Sequence, residues 1–321
     1  MNAPAHLPSW PDLPACHARL IHEKDGRGLF RIETHRGTLA LKRYPPALTG
    51  ADRHRINTVL THLEIADFSG RPGYFTISPG IYFGCFMDHP ALLRPWCHRG
   101  KMPRNPAAYA ELGHRIAELH SLTHPTTVPV VSAIVPATSA IVPAAPAADS
   151  PAARAEMLRL ARNLPDSFPY ESLLKSIPPL EHTPQCLIHH DVGPHNTLIS
   201  DTGSPVLIDW DRAGTGPRII DLAFPLIWMF IDAECRMEDA NAAAFYSGYR
   251  AAGLPPPLTA REIQSIFPAA LFFALKYMFY RNPEINIARI HTALKHRPRL
   301  EQWLDVLASG PDPRRAEFHT D

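Results

Sequence analysis

The sequence predicts an α+β fold in two unequal parts: an antiparallel five-stranded sheet with one inserted helix over residues 1–90, and a mainly helical remainder over 91–321. Three observations carry this. Short β-rich runs separated by turn pairs fill the first part. Apolar residues at helical spacing dominate the second. Within it, Cys186-Leu-Ile-His-His-Asp-Val-Gly-Pro-His-Asn-Thr-Leu-Ile-Ser200 and then Leu207-Ile-Asp-Trp-Asp211 read as strand, polar loop, strand, turn, strand and acidic end.

The elements follow in order. Residues 1–14 read as a loose arm. Arg19-Leu-Ile-His22, Leu29-Phe-Arg-Ile-Glu33 and Thr38-Leu-Ala-Leu-Lys-Arg-Tyr44 form a three-stranded meander, with Asp25-Gly26 as a strong hairpin turn and Pro45-Pro46 as the stop. Thr49 and Asp52 open a helix whose apolar face is Ile56, Val59, Leu60 and Leu63. Tyr74-Phe-Thr-Ile77 and Ile81-Tyr-Phe-Gly-Cys-Phe-Met87, joined by Ser78-Pro-Gly80, supply strands four and five. Tyr109, Leu112, Ile116, Leu119 and Leu122 mark the next helix. The Ala/Pro-rich insertion at about 125–151 carries a near-repeat, Ser132-Ala-Ile-Val-Pro-Ala-Thr138 and Ser139-Ala-Ile-Val-Pro-Ala-Ala145, whose prolines exclude a helix. It reads as an exposed duplication in a tolerant loop, with a docking peptide as the sharper alternative. Helix resumes near 152–164, and four more are predicted at about 221–235, 238–252, 259–281 and 286–308, before a frayed tail after Gly310.

Composition narrows the function. The 321 residues include 32 basic and 31 acidic ones, a net charge of +1, and 45% are apolar. That balance points to neither a nucleic-acid nor a membrane-surface partner. No basic-then-apolar leader and no run of 18 apolar residues is visible, so neither a signal peptide nor a spanning helix is expected. The five cysteines (16, 85, 97, 186 and 235) form no C-x-x-C and read as free thiols in a reducing compartment. A cytoplasmic protein is the default expectation.

The chemistry-bearing pattern is His189-x-Asp191-x-x-x-x-Asn196 between apolar strands, with Asp209 delivered to the same place by Val206-Leu-Ile208. An acid, an amide and a second acid at the mouth of a hairpin suit divalent metal beside a hydroxyl that loses its proton. Asp191 and His189 are the candidate catalytic residues, Asp191 as base and His189 on the same side where it could buttress the loop, and Asn196 and Asp209 are the candidate metal ligands. A plain polar loop is the bland alternative. Zinc hydrolysis through His189, His190, Asp191 and His195 lacks a metal-ligand spacing such as H-E-x-x-H. An aspartyl-phosphate reading of Asp209-x-Asp211 lacks the expected continuation, since Arg212-Ala213 follows. Lys42 lies mid-strand among apolar residues, where a lysine needs a carboxylate or phosphate unless it is simply exposed.

On Leu39-Ala-Leu-Lys42, Leu112-Gly-His-Arg-Ile-Ala-Glu-Leu-His120, Ile188-His-His-Asp-Val-Gly-Pro-His-Asn196, Leu207-Ile-Asp-Trp-Asp-Arg-Ala213 and Asp221-Leu-Ala223, the chain resembles the aminoglycoside phosphotransferase and choline-kinase-like family of small-molecule kinases. The resemblance implies a bilobal protein-kinase-like fold, with ATP and Mg²⁺ as cofactors and a small-molecule hydroxyl acceptor such as an amino sugar or amino alcohol. It implies Lys42 on phosphate, Asp191 as base, Asn196 and Asp209 on metal, and Asp221 bracing the loop. Gly26 and Gly28 would meet phosphate through backbone amides, and Phe86-Met87-Asp-His89 would form the interlobe hinge against adenine, although a plain strand end fits those four equally. Three departures stand out: Asp25-Gly-Arg-Gly28 is not a full G-x-G-x-x-G, His190 replaces the usual Gly, and the helix after strand three has no early glutamate to pair Lys42, Glu64 being at its far end. They keep open a nucleotide-binding pseudokinase. A kinase of lipopolysaccharide or other glycan sugars is a further alternative, because His195-Asn196 and Leu207-Ile-Asp-Trp-Asp-Arg212 approximate its motifs. Phe272, Phe273, Tyr277, Phe279 and Tyr280 read first as core and second as an aromatic wall for the acceptor. Glu234, Glu238, Asp239 and Glu284 read first as solvated surface and second as a site for a cationic acceptor.

Overall fold

Alternation along the first strands sets the sheet. Phe30 and Ile32 are buried on one face of a strand whose neighbours reach solvent. The computed structural model describes residues 2–5, 10, 16–35, 37–122, 155, 157–159, 161, 167–178, 185–278 and 283–308. The sheet holds β1 (Asn2–Ala5), β2 (Cys16–Lys24), β3 (Arg27–Thr34), β4 (Gly37–Arg43), β5 (Gly84–Phe86) and β6 (His89–Pro95) in the order β1-β2-β3-β4-β6-β5, every pair antiparallel. The β2–β3 turn is the expected Asp25-Gly26, both at positive φ (52° and 73°), which matches the right-handed strand twist. Helix α1 (Gly50–Ile65) is capped by Thr49, whose Oγ1 accepts from the Asp52 amide, and it buries the four apolar residues the spacing selected.

The structure corrects three expectations here. Residues 2–5 of the arm pair with β2 as an added edge strand. The predicted hairpin around Ser78-Pro-Gly80 is reduced to one bridge, Ser78 to Ile81. The true hairpin joins β5 to β6 through Met87 and Asp88, at φ 51° and 62°. Prolines at residues 90 and 95 mask β6 as a strand, yet they lie near its two ends, where a missing N–H is tolerated. The sheet therefore runs to Pro95, beyond the boundary expected at residue 90.

Central strand β4 separates two apolar clusters. Leu39 and Leu41 pack with Trp10, Phe30, Ile32 and Leu93 on one side. The large core of the helical part includes Tyr44 and Leu92 from the sheet and continues through α1. In that part, α2 (Pro106–Ser121) and α3 (Tyr170–Ser176) precede β7 (Gln185–Ile188), which pairs with β10 (Gly214–Pro217), and the hairpin β8 (Thr197–Ile199)–β9 (Pro205–Leu207). Then come α4 (Ile219–Trp228), α5 (Asp239–Ala251), α6 (Ala260–Tyr277), α7 (Pro283–Lys295) and α8 (Arg297–Ala308). The helix expected at 286–308 is thus two, the second starting around Pro298, a residue suited to a first turn. Helices α2 and α5 touch backbone to backbone: a Cβ on Gly113 would lie 2.0 Å from the Phe245 carbonyl oxygen, and one on Gly248 would lie 2.0 Å from that of Ala110.

Residues 125–151, Phe279, Tyr280 and the tail after Gly310 lie outside the described residues, as does most of the helix expected at 152–164. Cys97, Cys186 and Cys235 are free thiols. Among the described residues no helix is long and apolar enough to cross a membrane.

Candidate active site

The catalytic-loop stretch is hung from a buried carboxylate. Asp221, in the first turn of α4 and fully buried, accepts the backbone N–H groups of His189 and His190 at 2.7 Å each. His120 of α2 adds its Nε2 at 3.2 Å, and its Nδ1 meets the Tyr249 hydroxyl at 3.0 Å. Burial alone would raise the Asp221 pKa, but His120 and the two amides hold it below the usual carboxylate value. His190 turns the chain at φ 68°, where its side chain is buried near Phe273. Burial drives its pKa down to about 3, so the imidazole is neutral.

His189 does not reach the cleft, which corrects its placement as a catalytic residue. It is fully buried against Trp210, with ring centroids 4.6 Å apart. Its Nε2 lies 2.9 Å from the Ile208 carbonyl, and its Nδ1 lies 3.3 Å from the Asp191 amide. A carbonyl only accepts and an amide only donates, so the proton is on Nε2 and Nδ1 is the acceptor. His189 is a positioning residue that ties the loop to the strand carrying Asp209.

Asp191, Asn196 and Asp209 do converge. The β8–β9 register pairs Thr197 with Leu207, and the Ile208 amide donates to the Asn196 carbonyl at 2.9 Å. Asn196 and Asp209 therefore leave the same end of one hairpin. The Asn196 side-chain amide donates to the Asp191 carbonyl at 2.9 Å, which leaves Oδ1 as its acceptor. His195 Nε2 stands 3.8 Å from Asp191 Oδ1. Burial would raise the Asp191 pKa, yet His195 and the Arg212 charge bring it well below the usual carboxylate range. Asp209 takes a left-handed backbone (φ 66°, ψ 56°), which an aspartate tolerates better than most residues. Burial opposes its ionisation too, and Lys42 outweighs burial to lower its pKa.

Lys42 finds the carboxylates that α1 does not supply. Its Nζ donates to Asp209 Oδ1 at 2.5 Å and to Asp211 Oδ2 at 2.7 Å. Burial would lower its pKa, and the two carboxylates raise it instead. Asp211 also accepts from the Tyr44 hydroxyl at 2.6 Å and faces Arg27 at 3.5 Å. Glu64, the only glutamate of α1, bonds the Tyr82 hydroxyl. What α1 contributes is Arg55, which donates to the backbone carbonyls of Asp211 (2.6 Å) and Ala213 (2.8 Å).

Of these groups Lys42, Tyr44, Asp191, Asn196, Asp209 and Arg212 open on a cleft of about 700 Å³ between sheet and helices. One end is lined by Gly28, Ala40, Lys42, Tyr74, Leu92 and Arg94, and the other by Phe224, Trp228, Tyr277 and Arg289. Gly28 borders the cleft, and a Cβ there would meet the Phe30 ring at 2.7 Å. Gly26 lies behind it in the turn. Met87 and His89 are outside the cleft lining, which corrects the hinge expectation. Met87 is a 64% exposed hairpin tip, and His89 Nδ1 bonds the Tyr44 carbonyl. The chain leaves the sheet only after Pro95, so the segment that connects the two parts begins at Trp96. In the sequence Asp211 and Arg212 stand inside a motif that gives neither a role on Lys42 or in the cleft, and no motif marks Tyr44, Arg55, Trp228 or Arg289. Asp211 carried a usable signal, a second acid two residues after the first. Arg55 and Arg289 carried none beyond their helices.

The chain belongs to the phosphotransferase enzyme family, whose model matches residues 19–255. Its members are small-molecule phosphotransferases, and this chain is an enzyme of that class. Its fold is the bilobal protein-kinase-like one, as three solved structures illustrate. Spectinomycin phosphotransferase in complex with ADP and spectinomycin matches at 12% identity and TM-score 0.60, over 91% of this chain and 92% of that one. An amicoumacin kinase in complex with AMP-PNP, Ca²⁺ and its substrate matches at 12% identity and TM-score 0.58, over 90% and 88%. The Plasmodium vivax ethanolamine kinase matches at 12% identity and TM-score 0.56, over 88% and 83%. No curated protein matches the chain in sequence.

Proposed function

We propose that the enzyme transfers the γ-phosphoryl group of ATP to a hydroxyl of a small-molecule acceptor. The convergence of Asp191, Asn196, Asp209 and Lys42 on one cleft carries this reading. Asp191, ionised by its surroundings, accepts the hydroxyl proton. The acceptor oxygen forms a bond to the γ-phosphorus as the bond to the β-phosphate oxygen breaks, and ADP leaves with the electron pair. Lys42 holds phosphate charge, and the backbone at Gly28 approaches it from the β2–β3 turn.

Mg²⁺ fits the donor set. Asn196 offers a side-chain amide oxygen whose orientation is set by its bond to Asp191, and Asp209 offers a carboxylate oxygen besides the one on Lys42. Both are hard oxygen ligands of the kind magnesium takes alongside phosphates. Bound there, the metal would neutralise the phosphates. Asp211 keeps Lys42 in place while Asp209 is engaged elsewhere, which supports an active enzyme over a nucleotide-binding pseudokinase. Among the described residues no three His, Cys, Asp or Glu side chains group as a metal site, so zinc hydrolysis gains no support.

The test is Asp191→Asn. Loss of general base catalysis should lower ATP-dependent phosphorylation about 10²- to 10⁴-fold while AMP-PNP with Mg²⁺ still raises the melting temperature. Undiminished turnover in this variant refutes the base assignment. No stabilisation of the wild type by AMP-PNP with Mg²⁺ refutes the kinase reading.

A further inference from the structure

The far end of the cleft is built from rings and guanidinium groups. Phe224 and Trp228 stack at 6.1 Å, and Tyr277 meets both edge-on, at 5.6 Å and 6.4 Å. Each of two arginines covers one of these rings. Arg212 lies 5.5 Å from the Tyr277 centroid and bonds its hydroxyl, and Arg289 lies 5.6 Å from the Trp228 centroid. A cationic acceptor would need open ring faces or nearby carboxylates. The Tyr277 and Trp228 rings already carry positive charge.

Carboxylate charge reaches these arginines without pairing them: Asp191 and Asp209 act on Arg212, and Asp232 and Glu234 act on Arg289 too weakly to offset its burial. Asp25, Asp191 and Asp209 are the acids lining the cleft. Asp25 belongs to the β2–β3 turn at the nucleotide end, and the other two belong to the catalytic group. The four acids the sequence offered to a cationic acceptor lie elsewhere. Glu234 pairs with Arg236, Glu238 with Arg104 and Asp239 with Arg299, while Glu284 is exposed at the start of α7. Among the described residues neither Arg212 nor Arg289 has a carboxylate within ion-pair distance. Arg289 donates its Nε to the Asp232 carbonyl at 3.1 Å. Burial lowers the Arg289 pKa, as it does for a guanidinium drawn partly out of water.

On the kinase reading above, we propose that the acceptor carries an oxyanion, a carboxylate or a phosphate, held by Arg289 and Arg212 while its hydroxyl lies toward Asp191. Amino sugars and quaternary amino alcohols are poor substrates of this cleft. Guanidinium forks match carboxylate and phosphate oxygens two at a time, and the aromatic wall excludes water from the pair.

The experiment uses the full chain with AMP-PNP and Mg²⁺. The nucleotide shift in melting temperature comes first and tests the kinase reading independently of the acceptor. Three acceptor sets are then added: hydroxy acids (glycerate, gluconate), sugar phosphates (glucose 6-phosphate, glycerol 3-phosphate) and cations (kanamycin, ethanolamine, choline). Further stabilisation by one of the first two sets, and phosphorylation of its member with ATP, is expected and tells carboxylate from phosphate. Arg289→Gln should then raise KM for that acceptor about 10- to 100-fold with kcat and the nucleotide shift little changed, and Arg289→Lys should recover part of it. Preference for the cationic set, response to none of the three, or an unchanged acceptor KM in Arg289→Gln overturns the proposal even where nucleotide binding stands.

Discussion

Removing the charge of Asp211 should cost this enzyme more than removing the only glutamate of α1. Asp211 is 12% exposed in its side chain and holds Lys42, itself 25% exposed, at 2.7 Å. In Asp211→Asn the amide oxygen can still accept from Tyr44, but its NH₂ group would face Lys42 and Arg27, donor against cation. One charge-assisted hydrogen bond is lost, worth ~1.5–3 kcal/mol when fully sheltered. Partial exposure and relief of repulsion between Asp209 and Asp211 reduce this, so about 1–2 kcal/mol is expected from the denaturant midpoint. The kinetic effect is larger, because Asp209, the other carboxylate on Lys42, would be shared with the metal. A fall of ~10- to 100-fold in kcat/KM for ATP corresponds to the same bond counted in the transition state. Glu64→Gln should leave kcat/KM for ATP unchanged, because Glu64 bonds Tyr82. Steady-state ATP kinetics on both variants decide the matter. If Asp211→Asn stays within ~2-fold of wild type, or Glu64→Gln falls as far, Asp211 does not anchor Lys42.

Other expectations follow from the same geometry. Arg55→Ala removes two bonds to backbone carbonyls from a side chain that is 16% exposed and should destabilise by ~2 kcal/mol, read from the urea midpoint, with a higher KM for ATP. His190 is neutral in the fold down to about pH 3, whereas in the unfolded chain it protonates near pH ~6.5. Between those values the unfolded state binds the extra proton, so stability is full above the upper one and falls as pH drops through the window, by up to ~1.4 kcal/mol per pH unit. In His190→Gly that slope should flatten in urea titrations at successive pH values. Gly113→Ala should cost about 3 kcal/mol or more in the melting curve, because its methyl group would collide with a carbonyl that cannot withdraw.

Much of this was legible in the sequence, and what escaped did so for identifiable reasons. The Ile56, Val59, Leu60 and Leu63 stripe and the Asp25-Gly26 turn are local signals, and the structure contains both. The loop from Asp191 to Asn196 is also local, since the Asn196 side chain closes back on the Asp191 carbonyl five residues earlier. The partner of Lys42 was not legible, because that contact spans 169 positions in sequence and replaces a glutamate sought in α1. The hinge was misplaced because His89–Pro95 contains prolines and reads as a break, although hydrogen bonding on the β4 side makes it a strand. The aromatic residues divided between both readings: Phe272 and Phe273 are core, while Tyr277 faces the cleft. Which of them a ligand could meet depends on how α4, α6 and α7 pack, and spacing within one helix says nothing of that.

The contact of α2 with α5 reaches further than stability. Gly113 abuts the Tyr249 amide, Tyr249 meets His120, His120 meets Asp221, and Asp221 fixes the backbone of His189 and His190. Every link is a direct touch with little slack, so positional error accumulates along it as tolerances do along a train of machined parts. The location of Asp191 relative to the sheet is therefore referenced, in part, to two missing methyl groups on the far side of the helical core. A substitution there that the fold survived would appear as a misplaced base: reduced kcat at saturating substrates, with both KM values nearly unmoved.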